Sequence, residues 1–206
     1  MINKVSLSMK EHYKGTIIEH GSCARGVDWR DEDTAEIRHG HMKNLMLFSN
    51  SDTTLLDVGC GYGAFLGYLK RKSISVNYSG IDLVKEMIGV AACEHPEASF
   101  IIGDFLDEKF KDNFDYLICN GILTQKLDAS LLEMERYYKE VVKKMFSLSK
   151  IGCCFNMMST RVNFFAPNLF YRHPSEVLTY CLSEITQNVR VDHSYGLYEF
   201  TVYLYK

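Results

Sequence analysis

Residues 54–63, TLLDVGCGYG, decide how this chain is read. Thr54, Leu55 and Leu56 form a short apolar run that ends in Asp57, and Gly59, Gly61 and Gly63 then fall at every second position. The pattern predicts a strand, a tight glycine bend and the start of a helix. Glycines in such a bend accept positive φ and let a flat or charged ligand approach the main chain. The unpaired amides of the following helix point into the same crevice and favour acceptor atoms. A dinucleotide fingerprint, G-x-G-x-x-G, would hold its third glycine one place later and would run apolar into the bend. Here the spacing is D-x-G-x-G-x-G, with a carboxylate at the strand end.

The chain has 206 residues, 47% of them hydrophobic and 13% aromatic, enough for the core of one domain of ordinary size. Its net charge of −3 gives no basic excess with which to neutralise a nucleic acid backbone. Seven cysteines, at 23, 60, 93, 119, 153, 154 and 181, include no C-x-x-C pair, as expected of reduced, packed thiols rather than a disulfide framework or a zinc site. The first residues, MINKVSLSMKEHYKG, lack the apolar core of a signal peptide, and no apolar run approaches spanning length, so a cytoplasmic location is expected.

From Thr54 onward strand-like and helix-like runs alternate. Strands are predicted at 54–57, 76–82, 99–102, 114–119 and 153–158, with helices over 62–72, 84–93 and a long one opened by the Ser130/Glu133 capping box. Such alternation implies a mostly parallel sheet with helices on both faces and right-handed crossovers. The end breaks the rhythm: Pro174 opens a helix, and strands at 188–192 and 198–205 are separated by too few residues for a parallel crossover. Those two must be antiparallel. Before the bend, residues 1–32 show no clear period and are expected to be an arm or lid. Asp33 with Glu36 suggests a cap for a helix over 33–48, with Ile37, Leu45, Met46 and Phe48 as its apolar stripe.

The carboxylate-tipped glycine bend resembles the first motif of the class I S-adenosylmethionine-dependent methyltransferases, and the two-strand ending resembles their sheet. The resemblance runs from about residue 50 to the end. It implies a Rossmann-like α/β fold, a seven-stranded mostly parallel sheet with an antiparallel last strand, in a single domain over 1–206 with 1–50 as lid and 51–206 as catalytic core. It implies S-adenosylmethionine as cofactor, S-adenosylhomocysteine as product, and no metal. Asp57 and the bend Gly59, Cys60, Gly61 and Gly63 would receive the amino acid part. Asp82, with Leu83 beside it, would accept both ribose hydroxyls, Asp104 would meet the adenine amine with Phe105 alongside, and Asn120 and Gly121 would pass beside the reactive methyl. Asp82 could also serve only as a helix cap, and Gly103-Asp104 only as a turn.

Asn120-Gly121-Ile122 departs from the Asn/Asp-Pro-Pro-aromatic form that resembles base-modifying enzymes, which argues against a nucleic acid substrate. In the N-terminal arm, Trp29 and Arg38 are candidates to cover the cofactor, Arg38 by pairing with its carboxylate. His193 with Tyr195, in the loop between the last two strands, are the candidate catalytic pair, ahead of His173 and His20. Arg161, Asn168, Tyr171 and Arg172 would favour an acidic or polar acceptor if they lined a pocket, and otherwise form an ordinary loop. The expected activity is methyl transfer to an oxygen or nitrogen of a small molecule, with neither nucleic acid nor membrane as partner. The alternatives are a protein or RNA methyltransferase, a non-catalytic domain that binds the cofactor or its product, and a dinucleotide-dependent enzyme.

Overall fold

The computed structural model describes residues 4–46 and 49–206. One sheet organises it. In chain order its strands are β1 (Thr54–Val58), β2 (Asn77–Asp82), β3 (Ser99–Ile102), β4 (Phe114–Cys119), β5 (Ser149–Ser159), β6 (Tyr171–Arg172), β7 (Val189–Asp192) and β8 (Glu199–Tyr205). Their spatial order is β3-β2-β1-β4-β5-β8-β7, and the two-residue β6 pairs with the end of β5. The strands β3, β2, β1, β4 and β5 run parallel, and β8 is antiparallel to both β5 and β7. This is the class I methyltransferase-like sheet that the sequence predicts, with the small β6 added.

Residue alternation explains the two covered faces. In β4, Leu117 and Cys119 point to one core with Leu56, Met134, Val141, Met145, Val177 and Phe200, while Tyr116 and Ile118 point to the other with Leu55, Phe65, Leu69, Met42 and Tyr203. Helix α5 (Leu131–Leu148), with α6 (Pro174–Glu184), covers the first face, and α3 (Ala64–Arg71), with the end of α2 (Glu32–Lys43), covers the second. Between β2 and β3 lies α4 (Lys85–Glu94). The reciprocal cap at the start of α5 is present: the Glu133 amide donates to Ser130 Oγ, and the Ser130 amide to Glu133.

The N-terminal segment differs from expectation. Residues read as an arm without a period form α1 (Lys4–His20), followed by a 3-10 turn at Ala24–Val27. Only Val5, Ser6, Met9 and Ile17 of α1 are buried, a narrow stripe that includes a serine, so helical patterning is faint in the sequence. In α2 the cap is Asp31, which accepts from the Thr34 amide, not Asp33. The face it buries is Thr34, Ala35, His39 and Met42, whereas Ile37 is exposed. Leu45 and Met46 are buried beyond its end, and Phe48 lies outside the described residues.

The cap of α5 gives a first test. Ser130→Ala removes one amide acceptor at a helix start, so it is expected to cost about 1 kcal/mol in urea unfolding without changing the m-value. A loss under a few tenths would show that the box contributes nothing to global stability.

Candidate functional site

The site is built at the C-terminal ends of β1, β2 and β3. Gly59, Gly61 and Gly63 all have positive φ, at 73°, 54° and 83°. Gly59 also carries a steric constraint: a Cβ there would stand 2.5 Å from Ile122 Cγ2. The amides of Gly59 and Cys60 both donate to the carbonyl of Ile81, at 2.9 and 3.2 Å, which stitches the bend to β2. Asp82 completes the fastening. Its Oδ2 accepts from the Gly61 amide at 2.9 Å and its Oδ1 from the Val84 amide at 2.8 Å. The capping role open for Asp82 in the sequence is not the one observed: the residue that caps the next helix is Val84, with no side-chain cap bond, and Asp82 holds the turn before it while keeping a place on the cleft. Asp104 likewise turns the chain after β3, accepting from the Leu106 amide at 2.9 Å.

A cleft with two lobes runs along this edge. The first, about 550 Å³ counting space open to solvent, has Asp57, Gly59–Tyr62 and Asp82 beneath, Asn120–Ile122 at the side, and Tyr13, Val27, Trp29 and His39 opposite. The second, about 510 Å³ on the same count, joins Asp82 and Leu83 to Gly103, Asp104 and Phe105 under Met9 and Tyr13. Tyr13, Gly59, Asp82 and Ile122 belong to both. Of the expected cofactor residues, Asp57, Gly59, Cys60, Gly61, Asp82, Leu83, Asp104, Phe105, Asn120, Gly121 and Trp29 all line this cleft. Gly63 caps α3 just behind it.

Other expected residues lie elsewhere. The Arg38 guanidinium makes a forked contact with Glu199, Nε lying 2.9 and 3.1 Å from the two carboxylate oxygens and Nη2 donating as well. Glu199 in turn accepts from Asn156 Nδ2 at 2.6 Å, and Asn156 Oδ1 accepts the Gly121 amide at 2.8 Å. Arg38 thus pairs with a buried acid of β8, and its Nη1 is buried without a partner. Neither His193 nor Tyr195 lines the cleft. The Tyr195 ring stacks on His41 at 3.9 Å and its hydroxyl meets Thr201 at 2.9 Å, while His193 is exposed. His173 caps α6, and His20 is exposed at the end of α1. Arg172 pairs with Glu135 and Glu176, and the Tyr171 hydroxyl accepts the Ala166 amide, so an acid-binding pocket after β5 does not form around them. Phe170 is buried in that loop, and Phe164 and Phe165 are exposed.

Sequence reasoning missed Tyr13, His39, Asn156 and Glu199. One signal was available: Glu199 is the lone acid of EFTVYLY, a strand otherwise without charge. It also missed a polar group at the rim, where His12 and Gln125 both meet Asp28 Oδ2 and Asn168 bonds Gln125. Asp28 is held at φ 59°, an uncommon conformation for a residue other than glycine.

Comparison with known proteins agrees with the geometry. A methyltransferase domain family model matches residues 49–183. A Mycobacterium tuberculosis protein named "Putative methyltransferase Rv1506c" is 30% identical over 155 residues, 73% of this chain and 91% of its own length. This chain belongs to the class I S-adenosylmethionine-dependent methyltransferase family. Among solved structures the methyltransferase is similar in fold to magnesium protoporphyrin IX methyltransferase from Synechocystis PCC 6803 with bound SAM (TM-score 0.56, 13% identity, covering 100% of this chain and 85% of that one). It is also similar to phosphoethanolamine N-methyltransferase 1 of Haemonchus contortus (TM-score 0.65, 12% identity, covering 100% and 50%).

The methyltransferase cleft fits its cofactor on three counts: a backbone cradle at Gly59 that a Cβ would fill, a buried carboxylate without a cation, and a buried Asn120 Oδ1 without a partner. That carboxylate is Asp57, only 3% exposed, whose one polar side-chain contact shown is the Tyr78 hydroxyl, donating at 2.7 Å. Burial raises it from the ordinary 3.8 to about 7, against the lowering effect of Tyr78. Burial also raises Asp82, opposed by its backbone donors. His39 is pushed the other way, down to about 3 by burial, and is neutral at physiological pH.

Without ligand, the folded state keeps a proton on Asp57 that the unfolded chain releases from about pH 4 upward. The stability this provides is complete below that pH and is lost as pH rises through about 7. Asp57→Asn is expected to flatten the fall in urea midpoint between about pH 5 and about pH 8, with Asp82 leaving a residual slope. An unchanged slope would show that Asp57 titrates as an ordinary carboxylate.

Proposed function

We propose that the enzyme transfers a methyl group from S-adenosylmethionine to an oxygen or nitrogen of a small molecule in the cytoplasm, with residues 1–50 as a lid over the catalytic core 51–206. One observation carries this reading. Asp57, Asp82 and Asp104 stand at the ends of three neighbouring parallel strands, along one edge and one continuous cleft. In this reading Asp57 and the glycine bend hold the amino acid end, Asp82 the ribose, and Asp104 with Phe105 the purine.

When bound, the cofactor supplies a methyl group already activated by a sulfonium. The protein's task is then to place a nucleophile in line and exclude water. Tyr13, Trp29 and His39 close the outer wall of the lobe beside Asn120 and Gly121, the side where the methyl would lie. The buried link from Gly121 through Asn156 to Glu199 and Arg38 fixes that side of the cleft to β5, β8 and α2. A small acceptor is supported by the wall that Tyr13, Trp29 and His39 set over the lobe and by its acidic lining. A nucleic acid would need a basic path, and the net charge is −3. No described helix is long and apolar enough to cross a membrane.

Calorimetry with S-adenosylhomocysteine tests the cofactor assignment. Binding is expected for the wild type, and Asp82→Ala, which removes the ribose acceptor and the Gly61 anchor, is expected to weaken it by about 10- to 100-fold. Stabilisation by NAD with no heat from S-adenosylhomocysteine would overturn the assignment. Release of S-adenosylhomocysteine only with a protein or RNA acceptor, and never with a metabolite pool, would overturn the small-molecule part.

A further inference from the structure

The first lobe has an unusual charge balance. Its lining holds two acids, Asp57 and Asp82, and no lysine or arginine among the described residues. The arginine that stacks on Trp29, Arg38 at 5.1 Å, is neutralised by the buried carboxylate of Glu199. The outer wall is aromatic. Trp29 and His39 meet edge to face at 5.3 Å, and His39 is braced by Phe65 and Tyr68 at 5.5 and 5.6 Å. Tyr13 and Tyr62 add two more rings. His39 itself carries no charge at neutral pH, since burial disfavours its protonated form.

We propose that this lobe is an acceptor subsite for a flat-faced molecule that is uncharged or bears an amine, stacked against Trp29 and His39, and that it rejects phosphorylated and carboxylated acceptors. The proposal rests on the cofactor reading above. An anion entering here would lose its water in a lobe whose lining offers no lysine or arginine to replace it. A neutral ring gains offset or edge contacts with the aromatic wall, and an ammonium gains attraction to the ring faces. Asn120 supplies orientation: its Oδ1, buried without a partner, accepts an N–H or O–H from the nucleophile. The Haemonchus fold relative, described in complex with phosphoethanolamine, would differ from this enzyme in the charge of what it binds.

The test uses the full-length protein saturated with S-adenosylhomocysteine. Naphthol, naphthylmethylamine, naphthoate and naphthyl phosphate share one ring and differ in charge, and their affinities are compared by calorimetry and saturation-transfer NMR. Naphthol and naphthylmethylamine are expected to bind at least about ten-fold more tightly than either anion. Trp29→Leu, with S-adenosylhomocysteine raised until the variant is saturated, is expected to weaken both by a similar factor. Val27→Arg, which adds a cation to the wall, is expected to shift preference toward naphthoate. Equal or tighter binding of either anion to the wild type, no binding by any of the four, or unchanged affinities in both variants would overturn the proposal. Failure of S-adenosylhomocysteine itself to bind would instead overturn the cofactor reading on which it stands.

Discussion

The carboxylate of Asp82 takes one backbone N–H from Gly61 and another from Val84, and the rest of the site depends on that pair of bonds. Left-handed glycines bend readily but have no preferred geometry of their own, since the same freedom makes them costly to order. A half-buried acid between two amides supplies the missing restraint. The same amides offset part of the cost of taking its charge from water, although burial still raises the carboxyl above its ordinary value. Asp82 therefore sits at the junction of both lobes as a fixed acceptor, joined to the main chain of two elements. Gly80, one turn of the pleat earlier, cooperates: a Cβ there would lie 2.6 Å from Cys60 Sγ, so its absence lets the bend settle against β2.

A second set of contacts ties the far side of the cleft to distant parts of the chain. Arg38 on α2, Glu199 on β8, Asn156 on β5 and Gly121 after β4 are linked in sequence by hydrogen bonds, and Trp29 lies between Arg38 and Gly121. Burying an ion pair gains little stability against an apolar substitute of the same shape. Its effect is on geometry. Glu199 accepts from both Arg38 and Asn156, and Asn156 accepts the Gly121 amide, so β8 is tied through β5 to the loop after β4. The antiparallel finish of the sheet thereby acts on the site without lining it.

Local physics explains what was legible in the sequence. β3 and β4 begin and end where their apolar runs do, and Ser130 with Glu133 announces α5, because strand periodicity and reciprocal capping are written in adjacent residues. The glycine bend and its three carboxylates were legible for the same reason. The lid was not. α1 buries too few residues for a period to emerge, and α2 takes its cap from Asp31 two positions before the expected one. Arg38 looked available to a ligand because its partner, Glu199, lies 161 residues away. His193 and Tyr195 looked catalytic by their place in the topology, but the loop turns Tyr195 onto His41 and leaves His193 outward. Long-range pairing decides such cases, and no local pattern records it.

The walls of the cleft come from both sides of the family match, which begins at residue 49 and ends at 183. Within it fall the bend, Asp57, Asp82, Asp104 and the loop at Asn120, which in the proposed reading hold the cofactor. Outside it fall Tyr13, Val27, Trp29 and His39, which form the opposite wall, and Glu199, which fixes that wall's neighbour. A shared fold carries many different chemistries, and the difference lies in what is mounted on it. Here the mounted parts are an aromatic surface without a cation and a buried arginine that is already neutralised. Selectivity for the acceptor should therefore vary with the first 46 residues and the final hairpin, while the handling of the methyl donor stays with the glycine bend.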